Sequence, residues 1–350
     1  MGWSARDYLI AFNMLDGIGP KRLASMVAYF GSLEQAWHAD YHDLIQVPGL
    51  GDKLARQIVS QRGQIDPIAE QAWAESNAAR IITSLETHDY PQWLRNLANP
   101  PLALYVRGQL PDRLGVAIIG SRKATQTGKT QAYSFAYHLA SYGIPVVSGL
   151  ALGIDTQAHL GALAADGFTV AVMATPINMV YPMQNRRLAE EIAAAGCIIT
   201  EFSSRTSTRP GNFPQRNRLI AALAQAILVV EAGQKSGTLS TVDAGLELGR
   251  DIWAIPGDIA HPLRKGTHAL IKQGAGLAET PEDLLAAFPQ ISIKLEDHLD
   301  HDQQIVLKYY LQGYAPDKIV ELTGLPVQQV QSLITLIEID GLPCSRTGYR

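Results

Sequence analysis

The hydrophobic residues of the first 75 or so positions recur at helical intervals, and two glycine-containing turns interrupt them. The turns span residues 17–21 and 48–53, and apolar residues follow each one at helical spacing: Leu23, Val27 and Phe30 after the first, Leu54 and Ile58 after the second. This pattern predicts a helix–hairpin–helix unit, in which backbone N–H groups at a helix start can hold a phosphate. Nine acidic and seven basic side chains lie between Arg6 and Arg80. That balance favours a structural or protein-contacting role over phosphate binding.

From about residue 80 the hydrophobic period changes to short β-rich runs that alternate with helical stretches. The predicted strands are 80–83, 102–107, 116–119, 145–147, 169–173, 198–200, 227–230 and 252–255. Predicted helices between them include 127–142, 155–165, 185–195 and 241–248. Continuous apolar strands alternating with helices predict an α/β fold with a doubly wound, mainly parallel, Rossmann-like sheet. Ligands of such sheets bind at the carboxyl ends of the strands.

The C-terminal part of the chain predicts a small helical unit behind a charged linker. Residues 317–323, the turn at Gly324-Leu325 and residues 327–339 have the pattern of a helix-turn-helix, and a short wing-like segment follows to Arg350. The predicted domains are a helix-hairpin-helix (SAM-like) domain at 1–78, a Rossmann-like domain at 79–290, a linker at 291–302 and a winged-helix-like domain at 303–350. From Lys294 onward there are eight acidic and five basic side chains, which favours protein contact or regulation over duplex binding.

Composition narrows the functional classes. The net charge of −4 over 350 residues argues against a protein covered in positive charge, so any nucleic-acid site must be a local basic patch. No apolar run is long enough to span a membrane, and the N-terminus lacks the pattern of a secretory signal. Two cysteines, and no His-x-x-x-His pair on a helical pattern, indicate a cytoplasmic protein with neither a disulfide framework nor a zinc site. We expect no metal and no cofactor.

Two candidate sites follow the strands at 116–119 and 145–147. Gly120, Ser121 and Arg122 precede a predicted helix, where N–H groups and a guanidinium group could bind phosphate. The glycines of a dinucleotide-binding turn are absent. Ser148 and Gly149 open the second loop, which leads to Asp155 and, four residues on, His159. An N-cap role for Asp155 is favoured over a catalytic group with Ser148 as nucleophile.

Residues 205–218 are the most informative stretch, because they hold four arginines and no acidic residue. Phe213 lies among Pro210, Gly211 and Pro214, which predicts a loop. Guanidinium groups for phosphates and an aromatic ring for base stacking are what unpaired nucleic acid requires. The alternative is that Phe213 anchors the core and that some arginines pair with Glu201 or Glu231.

A third anion site is predicted after the strand at 227–230. Lys235 precedes Ser236, Gly237 and Thr238 at the start of a helix. The stretch lacks the residue order of a phosphate-binding loop, so nucleotide hydrolysis is not indicated. With the sites above it would form a cationic groove along one sheet edge. No activated nucleophile joins that groove, which indicates binding rather than catalysis.

Taken in order, these motifs resemble the DNA-processing protein A family (DprA, also called Smf). The resemblance covers roughly residues 80 to 285 and rests on these blocks: Val116-Ala-Ile-Ile-Gly-Ser-Arg122, Ser148-Gly-Leu-Ala-Leu-Gly-Ile-Asp155 through His159, Tyr181-Pro182, Phe213-Pro-Gln-Arg-Asn-Arg218, Val229-Val-Glu-Ala232 with Lys235-Ser-Gly-Thr238, and Pro256-Gly257. It implies a protein without covalent catalysis that binds single-stranded DNA during natural transformation, loads the RecA recombinase and forms a homodimer through the Rossmann-like domain. The predicted DNA-binding residues are Gly120, Ser121, Arg122, Ser148, Gly149, Arg186, Arg209, Phe213, Arg216, Asn217, Arg218, Lys235, Ser236, Gly237 and Thr238.

Two departures from the family pattern concern the phosphate contacts. Residues 174–176 read Ala-Thr-Pro where the family usually has a Gly-x-Gly turn, and proline removes an amide donor. Met183 stands where many relatives carry a lysine. Arg186 and Arg187 are near enough in sequence to replace that lysine.

Two other functions compete with DNA binding. The helix start at Ser236–Thr238, with Glu247 further on, resembles that of the lysine-decarboxylase-like nucleotide phosphoribohydrolases, but Val242 stands where those enzymes have a glutamate. An inert protein-interaction scaffold is the third possibility. The arginines of residues 205–218 argue against it.

Overall fold

The structure is a computed structural model that describes residues 2–86, 88–288, 301–311 and 314–339. The chain forms two compact units, one up to Pro281 and one from Glu282. The predicted domain boundaries at 78 and 290 stay predictions. No helix within the described ranges is long and apolar enough to cross a membrane.

Six helices form the N-terminal part of the first unit: α1 (Ala5–Asn13), α2 (Pro20–Phe30), α3 (Leu33–His38), α4 (Tyr41–Leu44), α5 (Asp52–Arg62) and α6 (Pro67–Ser76). The predicted helix-hairpin-helix pattern is confirmed, because α2 and α5 begin directly after the two glycine turns. Arg22 joins these turns. Its Nη1 donates to the Gly17 carbonyl at 2.7 Å and its Nε to the Gly49 carbonyl at 3.3 Å.

A nine-stranded sheet follows, in the order β1-β2-β6-β5-β4-β3-β7-β8-β9. Its strands are β1 (Arg80–Thr83), β2 (Ala103–Gly108), β3 (Gly115–Ile119), β4 (Val146–Ser148), β5 (Thr169–Val172), β6 (Cys197–Thr200), β7 (Ala224–Val229), β8 (Asp251–Ala254) and β9 (Gly276–Leu277). The β1–β2 and β2–β6 pairs are antiparallel, and every other pair is parallel. The predicted doubly wound sheet is confirmed. Its strand order reverses between β3 and β7, where a ligand crevice forms in such folds.

The helices that accompany the sheet are α7 (Gln92–Arg95), α8 (Gln126–Ser141), α9 (Ile154–Ala164), α10 (Arg186–Ala195), α11 (Asn212–Ala222), α12 (Leu239–Glu247) and α13 (Lys265–Lys272). Short 3₁₀ turns lie at Met183–Asn185, Pro262–Arg264 and Pro281–Ala287. One apolar core joins the N-terminal helices to the sheet residues Ala103, Tyr105, Ala171 and Ile198. A second core fills the opposite face, with Val147, Val170 and Ile199 among its members. Both sheet faces are therefore buried, as the continuous apolar strands predict.

The expectation of a loop at Phe213 is wrong. Asn212–Ala222 is helical, and Phe213, Arg216, Asn217 and Arg218 belong to α11. Pro214 occupies the first turn of this helix, where a backbone N–H has no partner inside the helix and proline is tolerated. The prolines and the glycine of this stretch therefore mark the entry to a helix rather than a long loop. The short edge strand β9 was also not predicted.

The second unit contains helices at His301–Leu311, Pro316–Thr323 and Val327–Ile339. The last two match the predicted helix-turn-helix, and Val306, Ile319 and Val330 pack in its core. Helix His301–Leu311 begins two residues before the predicted start of the winged-helix-like domain, and the boundary itself stays a prediction. The rest of the linker and the wing-like segment lie outside the described residues.

A buried carboxylate links the N-terminal helices to the sheet. Glu70 of α6 is 2% exposed and accepts hydrogen bonds from the Tyr105 hydroxyl at 2.7 Å and the Ser204 N–H at 2.8 Å. The Ser204 hydroxyl also donates to it. Burial and the adjacent Glu70 raise the pKa of Tyr105 well above its usual value, so the phenol remains a donor.

Replacing Glu70 should destabilise the first unit strongly. We expect Glu70→Ala to lower the free energy of unfolding by about 3 kcal/mol, because it leaves buried donors on Tyr105 and Ser204 without an acceptor. Glu75→Ala, at an exposed position of the same helix, should change it by less than about 0.5 kcal/mol. Urea unfolding followed by circular dichroism measures both. Equal effects of the two substitutions would show that the Glu70 contacts contribute little.

Candidate nucleic-acid interface

The loop after β3 is held tightly against its neighbours. The Ser121 N–H donates to the Glu231 carbonyl at 2.8 Å. A Cβ atom on Gly120 would lie 2.7 Å from Cγ1 of Ile154 and 2.8 Å from the Glu231 carbonyl oxygen, so only glycine fits there without movement. The loop thus presents Arg122 from a fixed backbone at the point where the strand order reverses.

The start of α8 is bound by a carboxylate of the protein itself, that of Glu231. The buried Glu231 carboxylate accepts hydrogen bonds from the Thr125 N–H at 2.9 Å and the Thr125 hydroxyl at 2.6 Å. Arg264 lies 3.4 Å from the same carboxylate. The expectation that this helix start offers free amides to a phosphate is therefore wrong for Thr125. Arg122 and Lys123 are exposed cations of the loop.

Arg122 stacks on an aromatic ring from a distant part of the chain. Its guanidinium carbon lies 4.9 Å from the centroid of the Phe213 ring, and the Phe213 ring lies 5.8 Å from that of Tyr181 at an interplanar angle of 62°. Tyr181 is 52% exposed. We call Arg122, Phe213 and Tyr181 the aromatic platform. Tyr181 was missing from the predicted site residues, although it belongs to one of the blocks that carry the resemblance.

Arg216 is buried beneath this platform and binds backbone. Its Nη1 donates to the Gly149 carbonyl at 2.7 Å and also to the Val172 carbonyl. A Cβ atom on Gly149 would lie 2.5 Å from that nitrogen, so the guanidinium group needs glycine at this position. Burial lowers the pKa of Arg216 to about 10, although nearby Asp155 opposes the shift. Arg216 thus positions the loop after β4 rather than presenting its charge at the surface.

The predicted roles of the loop after β4 need correction. Gly153, with φ of 83°, is the N-cap of α9, whereas Asp155 lies inside the helix and accepts from the N–H groups of Gly149 at 3.2 Å and Ala151 at 3.3 Å. Burial raises the pKa of Asp155, and Arg216 and these N–H groups oppose that shift. The Ser148 hydroxyl is buried and donates to the Ile118 carbonyl at 2.7 Å. Both side chains therefore serve the backbone.

A cavity of about 250 Å³ lies beside the platform at the carboxyl ends of β3 and β7. Its lining includes Gly120, Ser121, Arg122, Asp155, Phe213, Arg216, Asn217, Ser236, Gly237 and Thr238. The Asn217 amide donates to the Ser240 hydroxyl at 2.8 Å, which ties α11 to the start of α12. Lys235 is exposed. The structure thus gathers three predicted segments around one cavity.

The remaining arginines of residues 205–218 have partners. Arg218 pairs with Glu201 at 2.6 Å, and Arg209 lies 3.4 Å from Asp16, the residue before the first hairpin turn. Arg205 donates to the Gln64 carbonyl at 3.2 Å. The expectation of four arginines without counter-charge is therefore wrong. The alternative pairing of an arginine with Glu201 is confirmed.

The predicted substitutes for the missing lysine lie at the start of α10. Met183 is 78% exposed and Arg186 is exposed. Arg187 pairs with Glu191 at 3.0 Å. Arg186 thus stays a predicted phosphate contact.

The fold and this site define a Rossmann-like α/β protein with an N-terminal helix-hairpin-helix tandem. The chain belongs to the DNA recombination-mediator protein A family, whose model matches residues 80–289. Residues 10–63 match a SAM-like helix-hairpin-helix tandem. Protein Smf of Synechocystis is 36% identical over 299 residues, which covers 84% of this chain and 75% of that protein.

Two solved structures of relatives share the fold. DNA processing protein A of Streptococcus pneumoniae matches with a TM-score of 0.68 and 29% identity, over 82% of this chain and 98% of its own. DNA processing protein A of Helicobacter pylori matches with a TM-score of 0.54 and 28% identity, over 64% of this chain and 99% of its own. The latter structure concerns that protein's single-stranded-DNA binding mode.

His159 should make the stability of the first unit depend on pH. Its ring is fully buried and its Nδ1 lies 2.7 Å from the Thr169 hydroxyl. Burial, and then Arg216, lowers its pKa from 6.5 to about 3. Below pH 6.5 the unfolded chain therefore binds a proton that the folded chain does not. The stability associated with neutral His159 is present above pH 6.5 and is lost as the pH falls toward about 3.

We expect the stability difference between wild type and His159→Gln to shrink by roughly 2 kcal/mol between pH 6.5 and pH 5, since each unit is worth about 1.4 kcal/mol. Urea unfolding at several pH values measures this difference. The exposed His42 gives a matched substitution, His42→Gln, which should leave the pH dependence unchanged. If the free energy of unfolding of His159→Gln changed with pH in parallel with that of wild type, His159 would not be the source of the pH dependence.

Proposed function

We propose that this protein binds single-stranded DNA, independently of sequence, on the aromatic platform and the adjoining cavity. The observation that carries the proposal is the stacking of Arg122 on Phe213 at the reversal of strand order. This pair combines a cation for the phosphate backbone with a ring for an unstacked base. A base in a duplex has both faces covered, so the platform favours unpaired strands.

The relatives support this proposal. The Helicobacter pylori structure concerns the binding of single-stranded DNA, and that protein matches 64% of the length of the present chain. The platform and the cavity lie within residues 80–289, the segment that matches the family model. The proposed strand contacts from the predicted set are Gly120, Ser121, Arg122, Arg186, Phe213, Asn217, Lys235, Ser236, Gly237 and Thr238. Ser148, Gly149 and Arg216 are proposed as positioning residues beneath them.

The proposal contains no covalent step on the DNA. Ser148 was the candidate nucleophile, and its buried hydroxyl is committed to the Ile118 carbonyl. Asp155 is held by two backbone N–H groups and His159 is bonded to Thr169. The three side chains thus hold the loop and the core. Release of base from a purine nucleotide by the purified protein would instead favour the phosphoribohydrolase alternative.

Two substitutions separate the phosphate and base parts of the interface. Arg122→Ala should weaken binding of a single-stranded oligonucleotide about 10-fold and reduce the salt slope by roughly 0.7, the value for one phosphate contact on a single strand. Phe213→Ala should weaken binding by a similar factor with little change of slope, since base stacking is worth about 1–3 kcal/mol. Fluorescence anisotropy across a salt series measures both quantities.

Arg113→Ala is the matched control, because Arg113 precedes β3 at the opposite sheet edge and pairs with Asp112 at 3.0 Å. It should bind as wild type does. Equal, weak binding of single strands and duplexes that Arg122→Ala leaves unchanged would overturn the proposed function.

The family resemblance supports three further proposals. We propose that the protein acts in the cytoplasm during natural transformation and presents the bound strand to RecA. We also propose that it forms a homodimer through its Rossmann-like domain. Sedimentation should then give twice the chain mass. Addition of the protein should also shorten the lag in RecA assembly on a strand coated with single-strand-binding protein, and Arg122→Ala should remove that effect. A monomer, or a lag that the protein does not change, would refute the corresponding part.

A further inference from the structure

Helix α11 has polar side chains on two faces, and each face borders a different cavity. Phe213, Arg216 and Asn217 line the cavity beside the aromatic platform. Asn212, Gln215 and Arg218, spaced three residues apart, line a second cavity of about 610 Å³. We call this second cavity the hairpin cleft, because the first hairpin turn, residues 17–21, also lines it. The sequence motif of α11 thus serves two cavities.

The hairpin cleft contains a buried donor and a buried acceptor that are both incompletely bonded. Arg218 and Glu201 pair at 2.6 Å through Nη2 and Oε2. Arg218 Nη1 and Glu201 Oε1 are buried and have no hydrogen-bond partner among the residues that the structure describes. Glu201 is 8% exposed, and burial raises its pKa. Arg218 and the nearby Gln215 side chain oppose this shift, although Gln215 forms no regular hydrogen bond with Oε1. Leaving such groups unbonded is costly, which points to a ligand that supplies both an acceptor and a donor.

The rim of the cleft suits a phosphate. Lys21, Arg22 and Arg209 line the cleft, and Arg209 pairs with Asp16 at 3.4 Å. Helix α2 has 11 residues, and its N-cap is Gly19, which has no side chain to cap the helix start. An anion near that start is favoured by the helix dipole. Lys21, Arg22 and the start of α2 therefore line the same cleft as the Glu201–Arg218 pair.

We propose that the hairpin cleft is a second subsite for an unpaired nucleotide of the bound strand. Its phosphate lies at Lys21 and the start of α2. Its base edge lies against Glu201 and Arg218, which line the cleft, and bonds to their Oε1 and Nη1 atoms once these buried atoms turn toward it. Every nucleobase has a donor next to an acceptor on an exposed edge, so the subsite tolerates any sequence. In a duplex these edges are paired, and the subsite is closed to it. The strand then runs from the aromatic platform across α11 to the first hairpin turn.

This inference rests on the proposed function, and the test separates the two. Oligothymidylates of about 4 to about 20 nucleotides, the range of site sizes for single-strand binders, are titrated with wild type and Lys21→Glu. The shortest strands, which occupy the aromatic platform alone, should bind both proteins within about twofold. Long strands should bind Lys21→Glu about 10-fold more weakly and with a smaller salt slope.

The second hairpin turn offers a matched control. Lys53 follows Gly51 as Lys21 follows Gly19, it is exposed, and the second turn does not line the hairpin cleft. Lys53→Glu carries the same change of net charge and should bind strands of every length as wild type does. A duplex of the longest length should bind wild type and Lys21→Glu equally.

The possible results distinguish the second subsite from the proposed function. If Arg122→Ala weakens binding while Lys21→Glu matches Lys53→Glu at every length, the hairpin cleft is not on the strand's path and the proposed function stands. If Lys21→Glu weakens duplex and single-strand binding alike, the turn contacts backbone only and the base subsite is refuted. If wild type binds no single strand, the proposed function and this inference fail together.

Discussion

The buried guanidinium group of Arg216 is the constraint on which the candidate interface depends. It bonds to the Gly149 carbonyl after β4 and to the Val172 carbonyl at the end of β5, and it belongs to α11. Three segments are thereby fixed by one side chain, and Phe213, three residues earlier on the same helix, takes its place over Arg122. A buried charge requires such partners, since desolvation without them costs several kcal/mol.

Glycine and charge act together around that group. Gly149 leaves room for the guanidinium, and Gly120 permits the close approach of the loop after β3 to Ile154 and the Glu231 carbonyl. The Asp155 carboxylate accepts hydrogen bonds from two N–H groups of the loop after β4. The backbone of the crevice is therefore preorganised. Arg122, Phe213 and Tyr181 are not used to hold this backbone, so their side chains are available to a ligand.

The arginines of residues 205–218 show how tertiary structure divides one cluster of charge. Arg216 bonds to backbone, Arg218 to Glu201 and Arg209 to Asp16, so the cluster does not form one uniform basic surface. Because the chain carries a net charge of −4, electrostatic attraction for a strand must arise locally. Two separate cavities lie on opposite faces of α11, and under the proposed function both contribute to that local attraction.

The sequence by itself determined the alternation of strands and helices, the doubly wound sheet and the placement of the candidate residues at strand ends, because hydrophobic period and chain order are local properties. It also identified Arg122 and Phe213. Their stacking joins residues 91 positions apart, and the burial of Ser148 and Arg216 depends on neighbouring strands. Pro210, Gly211 and Pro214 concealed the start of α11, since proline is compatible with a loop and with a first helical turn. Only the tertiary structure decided between a loop and a helix here, because packing against β5 and β7 stabilises the helix.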